Sequence, residues 1–296
     1  MNTNNAQKTF AIIGCGRLGT ALAVFLSSSG FVPAAFSSRT LASAENAAAA
    51  AGSGDVCEDP VAAARAADIV FIATPDTAIA PVCQSMAEKG GFESNQIVYH
   101  LSGALASDIH SPARACGAAV GSIHPLQAFA PYEAGQPSPF NGINISVEGE
   151  ERAVETGKKI VRTLAANAFT IPTSAKTLYH ASAVVASNYL VTLEHFALRL
   201  LTAGDLSEKE AYNILEPLIM GTLKNIKAKG SIQALTGPVA RGDDEIVSRH
   251  LKDIDDQLPG FSRLYRLLGQ HTLDVAEQGT PLPDEAKRKL ADLFKF

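Results

Sequence analysis

The first half of the chain alternates short apolar runs with longer alanine-rich segments. The short runs have the length of buried β-strands, and the alanine-rich segments between them favour helix. Strands that alternate with helices predict an α/β unit, a parallel, doubly wound sheet with helices on both faces. The predicted strands are Ala11–Gly14, Val32–Phe36, Ile69–Ala73, Ile97–His100, Ala119–Ile123, Ile143–Val147 and Ala168–Ile171. The predicted helices between them include Arg17–Ser29, Leu41–Ala51, Val61–Ala67 and Glu150–Ala165.

After Pro172 the strand pattern disappears. Lys176–Ala203 holds neither glycine nor proline, which predicts one long helix. Its middle, Ala181–Leu193, is apolar on nearly every side, so we expect it to be buried all round, with a partner subunit supplying part of the cover. The pattern therefore predicts two domains, with the sheet over residues 1–172 and an all-helical domain over 173–296.

Local signals predict the remaining helices of the second half. Ser207 and Glu210 form a capping box that opens the next helix, and Pro217 is expected to kink or interrupt it. Asp243 is expected to cap a later helix. The later helices are predicted at Asp244–Gln257, Ser262–Glu277 and Asp284–Phe294.

A glycine-rich turn follows the first predicted strand. Gly14 permits a tight turn, Gly16 lets the backbone approach a pyrophosphate, and Gly19 lets the next helix pack closely on the strand. The pyrophosphate would lie on the helix N-terminus at Arg17 and Leu18, where the helix dipole favours negative charge. Strand, turn, helix and second strand have the length of one βαβ unit, so this segment predicts dinucleotide binding. A glycine turn in some other α/β protein is the alternative.

The end of the second strand indicates which dinucleotide is bound. Ser37, Ser38 and Arg39 stand where an NAD site usually has a carboxylate for the ribose hydroxyls. Hydroxyls and a guanidinium attract a 2′-phosphate, which a carboxylate would repel. The sequence therefore favours NADP(H) over NAD(H), and the missing acid also argues against S-adenosylmethionine. The alternative for Arg39 is an exposed surface arginine without a ligand.

Ligands of open α/β sheets bind beyond the carboxyl ends of the strands. Thr74 and Pro75 follow one strand and are expected beneath the cofactor, while Asp76 is expected to cap the following helix. The next two strands deliver Ser102 and His124 to the same edge. His124 is the leading acid–base candidate with Ser102 as its hydrogen-bonding companion, unless the histidine only orders its loop.

The start of the helical domain adds a polar cluster. Lys176, Tyr179 and His180 lie on one helix face. Asn188 lies in an apolar stretch and needs a polar partner, either a ligand or a neighbouring backbone carbonyl. The predicted catalytic residues are His124, Ser102, Lys176 and His180, and the predicted substrate-binding residues are Gln127, Tyr179, Asn188 and Arg241.

Charge and cysteine content narrow the function classes. The 296 residues carry a net charge of −5, so nucleic acid and anionic membranes are not expected as main partners. The polar start Met1–Lys8 does not resemble a secretory signal, and no apolar stretch is long enough to span a membrane. The four cysteines have no metal-site spacing and predict reduced thiols in a cytoplasmic protein without a metal. Residues 131–142, rich in proline and glycine, predict either a lid or an inert connection.

Four segments together carry a family resemblance. They are His-Leu-Ser-Gly-Ala at 100–104, His-Pro-Leu-Gln-Ala-Phe at 124–129, Tyr-His-Ala-Ser-Ala-Val-Val-Ala-Ser-Asn at 179–188 and Thr-Gly-Pro-Val-Ala-Arg-Gly-Asp at 236–243. As a set they resemble a family of bacterial Rossmann-like proteins whose C-terminal helical domain has no known function. That family is grouped with pyrroline-5-carboxylate reductase, ketopantoate reductase and deazaflavin-dependent NADP oxidoreductases. The resemblance implies an NADP-binding domain and a helical, dimerising domain like that of 6-phosphogluconate dehydrogenase.

Two related groups sharpen the expected roles. Ser102 and His124 look like the serine and histidine that face the substrate in prephenate dehydrogenases, although Gly103 and Ala104 replace the Val-Lys that follows that serine. Lys176 resembles the lysine of the β-hydroxyacid dehydrogenase motif, but His180 stands where that motif has asparagine.

These observations predict an NADP(H)-dependent oxidoreductase that acts on a small polar molecule, expected to bear a carboxylate, in a cleft between the domains. His124 would handle the proton, Ser102 would orient the reacting group, and Lys176 or Arg241 would hold substrate charge. The alternatives are a non-catalytic NADP-binding sensor or regulatory dimer and a prephenate-dehydrogenase-like enzyme. A homodimer formed through the helical domain is expected in each case.

Overall fold

The computed structural model describes residues 8–204 and 206–296, and this part of the chain forms two compact units that divide between Val185 and Ala186. The prediction that the N-terminal stretch carries no targeting signal lies outside the described residues except at Lys8. The domain boundary predicted at residue 172 stays a prediction. The first helix after Pro172 belongs to the same compact unit as the sheet.

One eight-stranded sheet forms the centre of the first unit within the described residues. Its strands are β1 Thr9–Ile13, β2 Val32–Ser37, β3 Asp55–Val56, β4 Ile69–Ile72, β5 Ile97–His100, β6 Ala119–Pro125, β7 Asn144–Gly149 and β8 Asn167–Thr170. They lie in the order β3-β2-β1-β4-β5-β6-β7-β8. The order reverses direction between β1 and β4, and such a switch point is where ligands bind in open α/β sheets. The predicted doubly wound fold class is confirmed.

The sheet differs from the prediction in two places. The short edge strand β3 was not predicted, because two residues give no periodic signal. β7 pairs antiparallel to β6, so the expectation of an all-parallel sheet is wrong there. The chain crosses from β6 to β7 without a helix, and only a crossover unit can return a neighbouring strand in parallel.

Helices cover both faces of this sheet. They are α1 Arg17–Ser28, α2 Leu41–Ala51, α3 Pro60–Arg65, α4 Asp76–Glu88, α5 Ser111–Ala115 and α6 Glu151–Thr163, and α7 Lys176–Val184 follows β8. One face packs its aromatic and branched side chains against α1, α2 and α6. The opposite face packs against α3, α4 and α5. Both faces being buried explains why the strand sequences are apolar runs rather than alternating patterns.

The second unit is helical throughout its described residues. It contains α8 Leu190–Thr202, α9 Glu208–Ala234, α10 Pro238–Arg241, α11 Asp244–Gln257, α12 Pro259–Gly279 and α13 Asp284–Leu293. Its core consists of Val247, Leu251, Leu273, Leu290 and Phe294. The predicted caps are confirmed: Ser207 and Glu210 form the capping box of α9, and Asp243 accepts a hydrogen bond from the Ile246 amide.

One helix prediction is confirmed and two are corrected. The helix predicted over Lys176–Ala203 extends from Lys176 to Thr202, with one π-helical turn, Val185–Tyr189, between α7 and α8. α9 continues through Pro217 and breaks instead at Gly230, where φ is +80°, a conformation that glycine adopts at little cost. Most of Ala181–Leu193 is exposed in the single chain rather than buried all round.

Among the helices of residues 8–204 and 206–296, none combines the length and the apolar character needed to cross a bilayer.

Candidate functional site

The glycine turn after β1 has the backbone that its sequence requires. Gly14 lies at φ +105°, and a β-carbon there would come within 2.8 Å of the carbonyl carbon of Ala73. Its amide donates a 2.8 Å hydrogen bond to the carbonyl oxygen of Ser37. The turn is therefore held against the ends of both neighbouring strands, β2 and β4, and no other residue type fits at this position.

The other two glycines have contrasting surroundings. A β-carbon on Gly19 would overlap the carbonyl oxygen of Gly14 and would touch Ile12, so this glycine sets how closely α1 packs on β1. A β-carbon on Gly16 would have no heavy atom of the described chain within 4 Å. The space next to the start of α1 is thus open at Gly16 and closed at Gly19.

The start of α1 offers its backbone amides without competition from a side chain. The helix begins at Arg17, no side chain of the described residues caps it, and its first turn contains no acidic residue. Free N–H groups and the positive end of the helix dipole form a site that suits a phosphate. Arg17 is exposed and Leu18 is half-buried beside this opening.

The end of β2 lies next to the same turn. The Cys15 amide donates to the hydroxyl oxygen of Ser38 at 3.4 Å, which ties the glycine turn to β2. Ser37 is buried, and Arg39 is exposed immediately beyond the strand. The predicted cofactor residues of β1, α1 and β2 therefore form one continuous edge.

The segment after β4 completes this edge. Thr74 follows β4, and its hydroxyl oxygen is buried without a hydrogen-bond partner among the described residues. Pro75 precedes α4, and Asp76 is the first residue of that helix. The capping role expected for Asp76 is wrong, because its carboxylate accepts a 2.8 Å hydrogen bond from the Ser102 hydroxyl instead.

The Ser102 hydroxyl is fully used within the protein. It donates to Asp76, and its oxygen accepts hydrogen bonds from the amides of Ala104 and Leu105, each at 3.1 Å. Ser102 itself is 6 % exposed. These three hydrogen bonds stabilise the loop after β5. Ser102 therefore has a structural role in this loop, next to the predicted catalytic residues.

β6 and β7 present a layer of polar side chains on one face of the sheet. Ser122 pairs with Glu148 across the antiparallel ladder, and His124 pairs with Ser146. Side chains two residues apart on a strand point to the same face, so all four project together. The apolar face formed by β1, β4 and β5 therefore becomes polar at β6 and β7.

His124 lies against α7. Its Nδ1 is 2.8 Å from the hydroxyl oxygen of Tyr179, and the ring of His180 crosses it edge-on with the centroids 6.1 Å apart. A β-carbon on Gly103 would come within 2.7 Å of His124 Nε2 and 2.6 Å of His180 Nδ1, so only glycine lets this loop approach both imidazoles. Burial, followed by the positive charge of Lys176, lowers the pKa of His124 to about 4. At neutral pH the ring is therefore uncharged.

Lys176 lies below this cluster rather than at its surface. It is 1 % exposed, and its Nζ donates a 2.6 Å hydrogen bond to the Ser122 hydroxyl. Burial lowers the pKa of Lys176 to about 8, while the charges of Glu148 and Asp76 act in the opposite direction. A substrate carboxylate cannot reach this ammonium in the described conformation.

The remaining predicted site residues are not all brought together. Gln127 is exposed in the loop after β6. Asn188 lies in the π-helical segment and Arg241 at the end of α10, and both are exposed residues of the second unit. Residues 131–142 contain neither helix nor strand, but Phe140 is fully buried in the core and contacts Phe25 of α1. Whether this segment acts as a lid stays a prediction.

Sequence reasoning missed three polar residues that build the site. Asp76 is predicted only as a cap, and neither Ser122 nor Glu148 is assigned a role. One signal was available: β6 and β7 alternate polar and apolar residues, Ser122-Ile-His124 and Ser146-Val-Glu148, within strands that both lie inside the sheet. Polar alternation in a strand that has no solvent face indicates a buried polar layer.

Comparison with solved structures shows the same fold over most of the chain. A provisionally assigned NADP oxidoreductase from Bacteroides fragilis is 24 % identical, with a TM-score of 0.73 over 90 % of this chain and 98 % of that one. A Thermotoga maritima protein is 27 % identical, with a TM-score of 0.70 over 91 % and 98 %. A pyrroline-5-carboxylate reductase from Coxiella burnetii is 14 % identical, with a TM-score of 0.58 over 98 % and 100 %.

None of the curated proteins compared with the chain matches it significantly. Two family models match consecutive parts of it. A Rossmann-like domain matches residues 2–125, and a domain of unknown function, DUF2520, matches residues 143–272. The chain therefore contains a Rossmann-like domain followed by a DUF2520 domain, in agreement with the resemblance carried by the motifs at 100–104, 124–129, 179–188 and 236–243.

Proposed function

We propose that the chain is an NADP(H)-dependent oxidoreductase that acts on a small polar substrate. The observation that carries the proposal is the open, uncapped start of α1 at Gly16, on the same sheet edge as the His124–Tyr179 pair. A phosphate-binding turn and an acid–base pair along one edge are the minimum that a dehydrogenase or reductase needs.

The residues of the cofactor edge fit NADP(H). The α1 amides at Arg17 and Leu18 would hold the pyrophosphate, and Ser38 with Arg39 would hold the 2′-phosphate. The buried, unpartnered hydroxyl of Thr74 supplies a further polar group at this edge. When bound, the nicotinamide supplies the hydride that is exchanged with the substrate. The NADP oxidoreductase among the structural neighbours supports the same choice of cofactor.

His124 and Tyr179 would move the proton. Because the pKa of His124 is lowered to about 4, the ring is neutral at working pH and can accept a proton at Nε2 when a substrate is oxidised. In the direction of reduction the same step runs backwards, and the protonated ring returns its Nε2 proton to the substrate. Ser102 would position its loop through Asp76, and the buried Lys176 would not contact the substrate.

The acidic replacement Arg39→Asp is expected to reverse the cofactor preference. Losing a charge-assisted contact with the 2′-phosphate should weaken NADPH binding by about 10- to 100-fold, whereas NADH binding should stay equal or improve. Calorimetric titration of both dinucleotides measures this. Arg249→Asp makes the same charge change at an exposed position and is expected to leave both affinities unchanged. Equal loss of NADH and NADPH binding in Arg39→Asp would contradict the assignment.

A non-catalytic NADP-binding sensor is the second candidate. One observation favours it: the side chains of Ser102 and Lys176 donate their hydrogen bonds to other protein groups, Asp76 and Ser122. NADPH oxidation should be screened against cyclic imines, keto acids and prephenate-like compounds. Turnover of one class supports the oxidoreductase, and tight NADPH binding without turnover of any of them supports the sensor.

We also propose that α9 forms the contact between two copies of the chain. Along this helix large apolar side chains are exposed, among them Leu218 at 67 % and Met220 at 59 %. Within the described chain, Ala211 is the residue of α9 that is fully buried. An apolar surface of this length on a soluble chain needs a partner, and a second copy offers the same surface.

Charge placed on α9 is expected to separate the copies. Wild-type protein should have twice the 31.0 kDa mass of one chain by light scattering. Leu218→Asp should raise the dimer dissociation constant by at least about 100-fold, since the contact would bury one unpaired carboxylate from each of the two copies. Lys252→Asp on α11 is the matched surface control. A wild-type protein that is monomeric at micromolar concentration would contradict this proposal.

A further inference from the structure

We infer that Lys176 is a positioning residue for His124. It is held through Ser122 by the buried carboxylate of Glu148, and its helix sets Tyr179 on the ring of His124. Its positive charge adds to the effect of burial, which is the larger of the two, in opposing protonation of the ring. The inference deepens the proposed function and rests on it, because it assigns the proton-transfer role to His124. Lys176 is 1 % exposed, and its ammonium is bonded to Ser122.

Two hydrogen bonds fix α7 along β6. Lys176 bonds Ser122 at 2.6 Å, and Tyr179 bonds His124 at 2.8 Å. Ser122 and His124 are two residues apart, about 6.6 Å along a strand, whereas Lys176 and Tyr179 are three apart, about 4.5 Å along a helix. Because the two bonds follow the same order along both elements, α7 and β6 run in the same direction here. The bond between Lys176 and Ser122 therefore constrains the position of Tyr179 relative to His124.

Glu148 supplies the counter-charge that a buried ammonium requires. It is 1 % exposed and accepts hydrogen bonds from the Ser107 amide at 3.0 Å, the Ser107 hydroxyl at 2.7 Å and the Thr173 hydroxyl at 2.7 Å. The Ser122 hydroxyl donates to the same carboxylate at 3.2 Å. These four hydrogen bonds engage both carboxylate oxygens of Glu148. Ser122 can thus accept from Lys176 and donate to Glu148 at once, which links the two charges.

The field at His124 follows from the groups that face it. The titratable groups around His124 and Lys176 are Glu148 of β7, Asp76 of α4, His100 of β5, His110, and Tyr179 and His180 of α7. Burial lowers the pKa of His100 and of His110 to about 3, so both are neutral. Lys176 therefore provides positive charge next to His124, and this opposes protonation of the ring.

Removal of that charge is the direct test. In Lys176→Met the pKa of His124, followed by NMR of its ring carbon-bound protons, should rise by about one unit, since removal of a nearby positive charge favours the protonated ring. The double variant K176M/E148Q removes both charges without leaving a buried carboxylate unpaired, and a smaller rise is expected there, because loss of the negative charge of Glu148 acts in the opposite direction. Lys158→Met, which alters an exposed lysine paired with Glu155, should leave the titration unchanged.

The outcomes separate this inference from the proposed function, because the titration needs no dinucleotide or substrate. In the wild-type protein His124 should show a second, smaller inflection as Lys176 deprotonates near pH 8. Where turnover is measurable, the acid limb of kcat/KM should move to higher pH by the same amount as the pKa of His124. A folded variant in which His124 still titrates at about pH 4 would overturn the inference, as would a wild-type protein without the second inflection.

Discussion

Replacing His124 with alanine is expected to reduce kcat by about 100- to 10,000-fold on the substrate class that the screen identifies, which is the range for loss of a general acid or base. NADPH binding should be unchanged, because His124 lies at the end of β6, away from the turn at Gly16. Tyr179→Phe keeps the ring and removes the 2.8 Å hydrogen bond, so a smaller loss of about tenfold is expected. Steady-state and single-turnover kinetics measure both effects.

The matched control is His271→Ala, which removes an exposed histidine of α12. It should retain the wild-type kcat. The pH dependence gives a second check. In the direction of substrate oxidation the ring must be neutral to accept a proton, so the rate of that reaction should fall as the pH drops through about 4, where His124 becomes protonated. Unchanged turnover in folded His124→Ala would remove the histidine from the mechanism.

Alanine substitutions in the glycine turn are expected to give the second large effect. Substitution of Gly19 should mainly reduce stability, whereas substitution of Gly16 should mainly weaken NADPH binding. Gly19→Ala should destabilise the protein by about 3 kcal/mol, since its β-carbon overlaps a backbone carbonyl that cannot move without separating α1 from β1. Gly16→Ala should cost less than about 1 kcal/mol, because nothing in the described chain lies within 4 Å of the added carbon. The same methyl group should weaken NADPH binding by about tenfold or more, because it projects where the pyrophosphate would approach.

Urea unfolding and calorimetric titration of the two variants measure the contrast. In the unfolding experiment, Gly16→Ala is the control for Gly19→Ala. In the binding experiment, Gly19→Ala is the control for Gly16→Ala, and the titrations are done at a temperature where both variants are folded. A stable Gly19→Ala would contradict the packing of α1 on β1. Wild-type NADPH affinity in Gly16→Ala would contradict the phosphate site.

The strands of the first unit could be predicted because they are buried on both faces and read as uninterrupted apolar runs. Ile97–His100 was predicted with its bounds, and β1, β2 and β4 were each predicted to within two residues at either end. The direction of β7 could not be predicted from its own residues, because parallel and antiparallel strands have similar compositions. Direction depends on the connection, and residues 126–143 contain no helix that would mark a crossover.

The parts of the candidate site that depend on neighbouring residues could be predicted from the sequence. The parts that depend on contacts between distant residues could not. The Gly14, Gly16 and Gly19 spacing carries its own geometry, so the turn could be predicted locally. The contact of His124 with Tyr179 and of Lys176 with Ser122 joins residues more than 50 positions apart, which no local pattern records. Lys176 is linked to Glu148 through Ser122, and Glu148 lies one residue beyond the predicted strand Ile143–Val147.

Calorimetric titration of the wild-type protein with NADPH and with NADH tests the central claim most directly. The account predicts one site per chain, with NADPH bound at least about tenfold more tightly, a difference of about 1.4 kcal/mol. Measurable affinity for neither dinucleotide would contradict it.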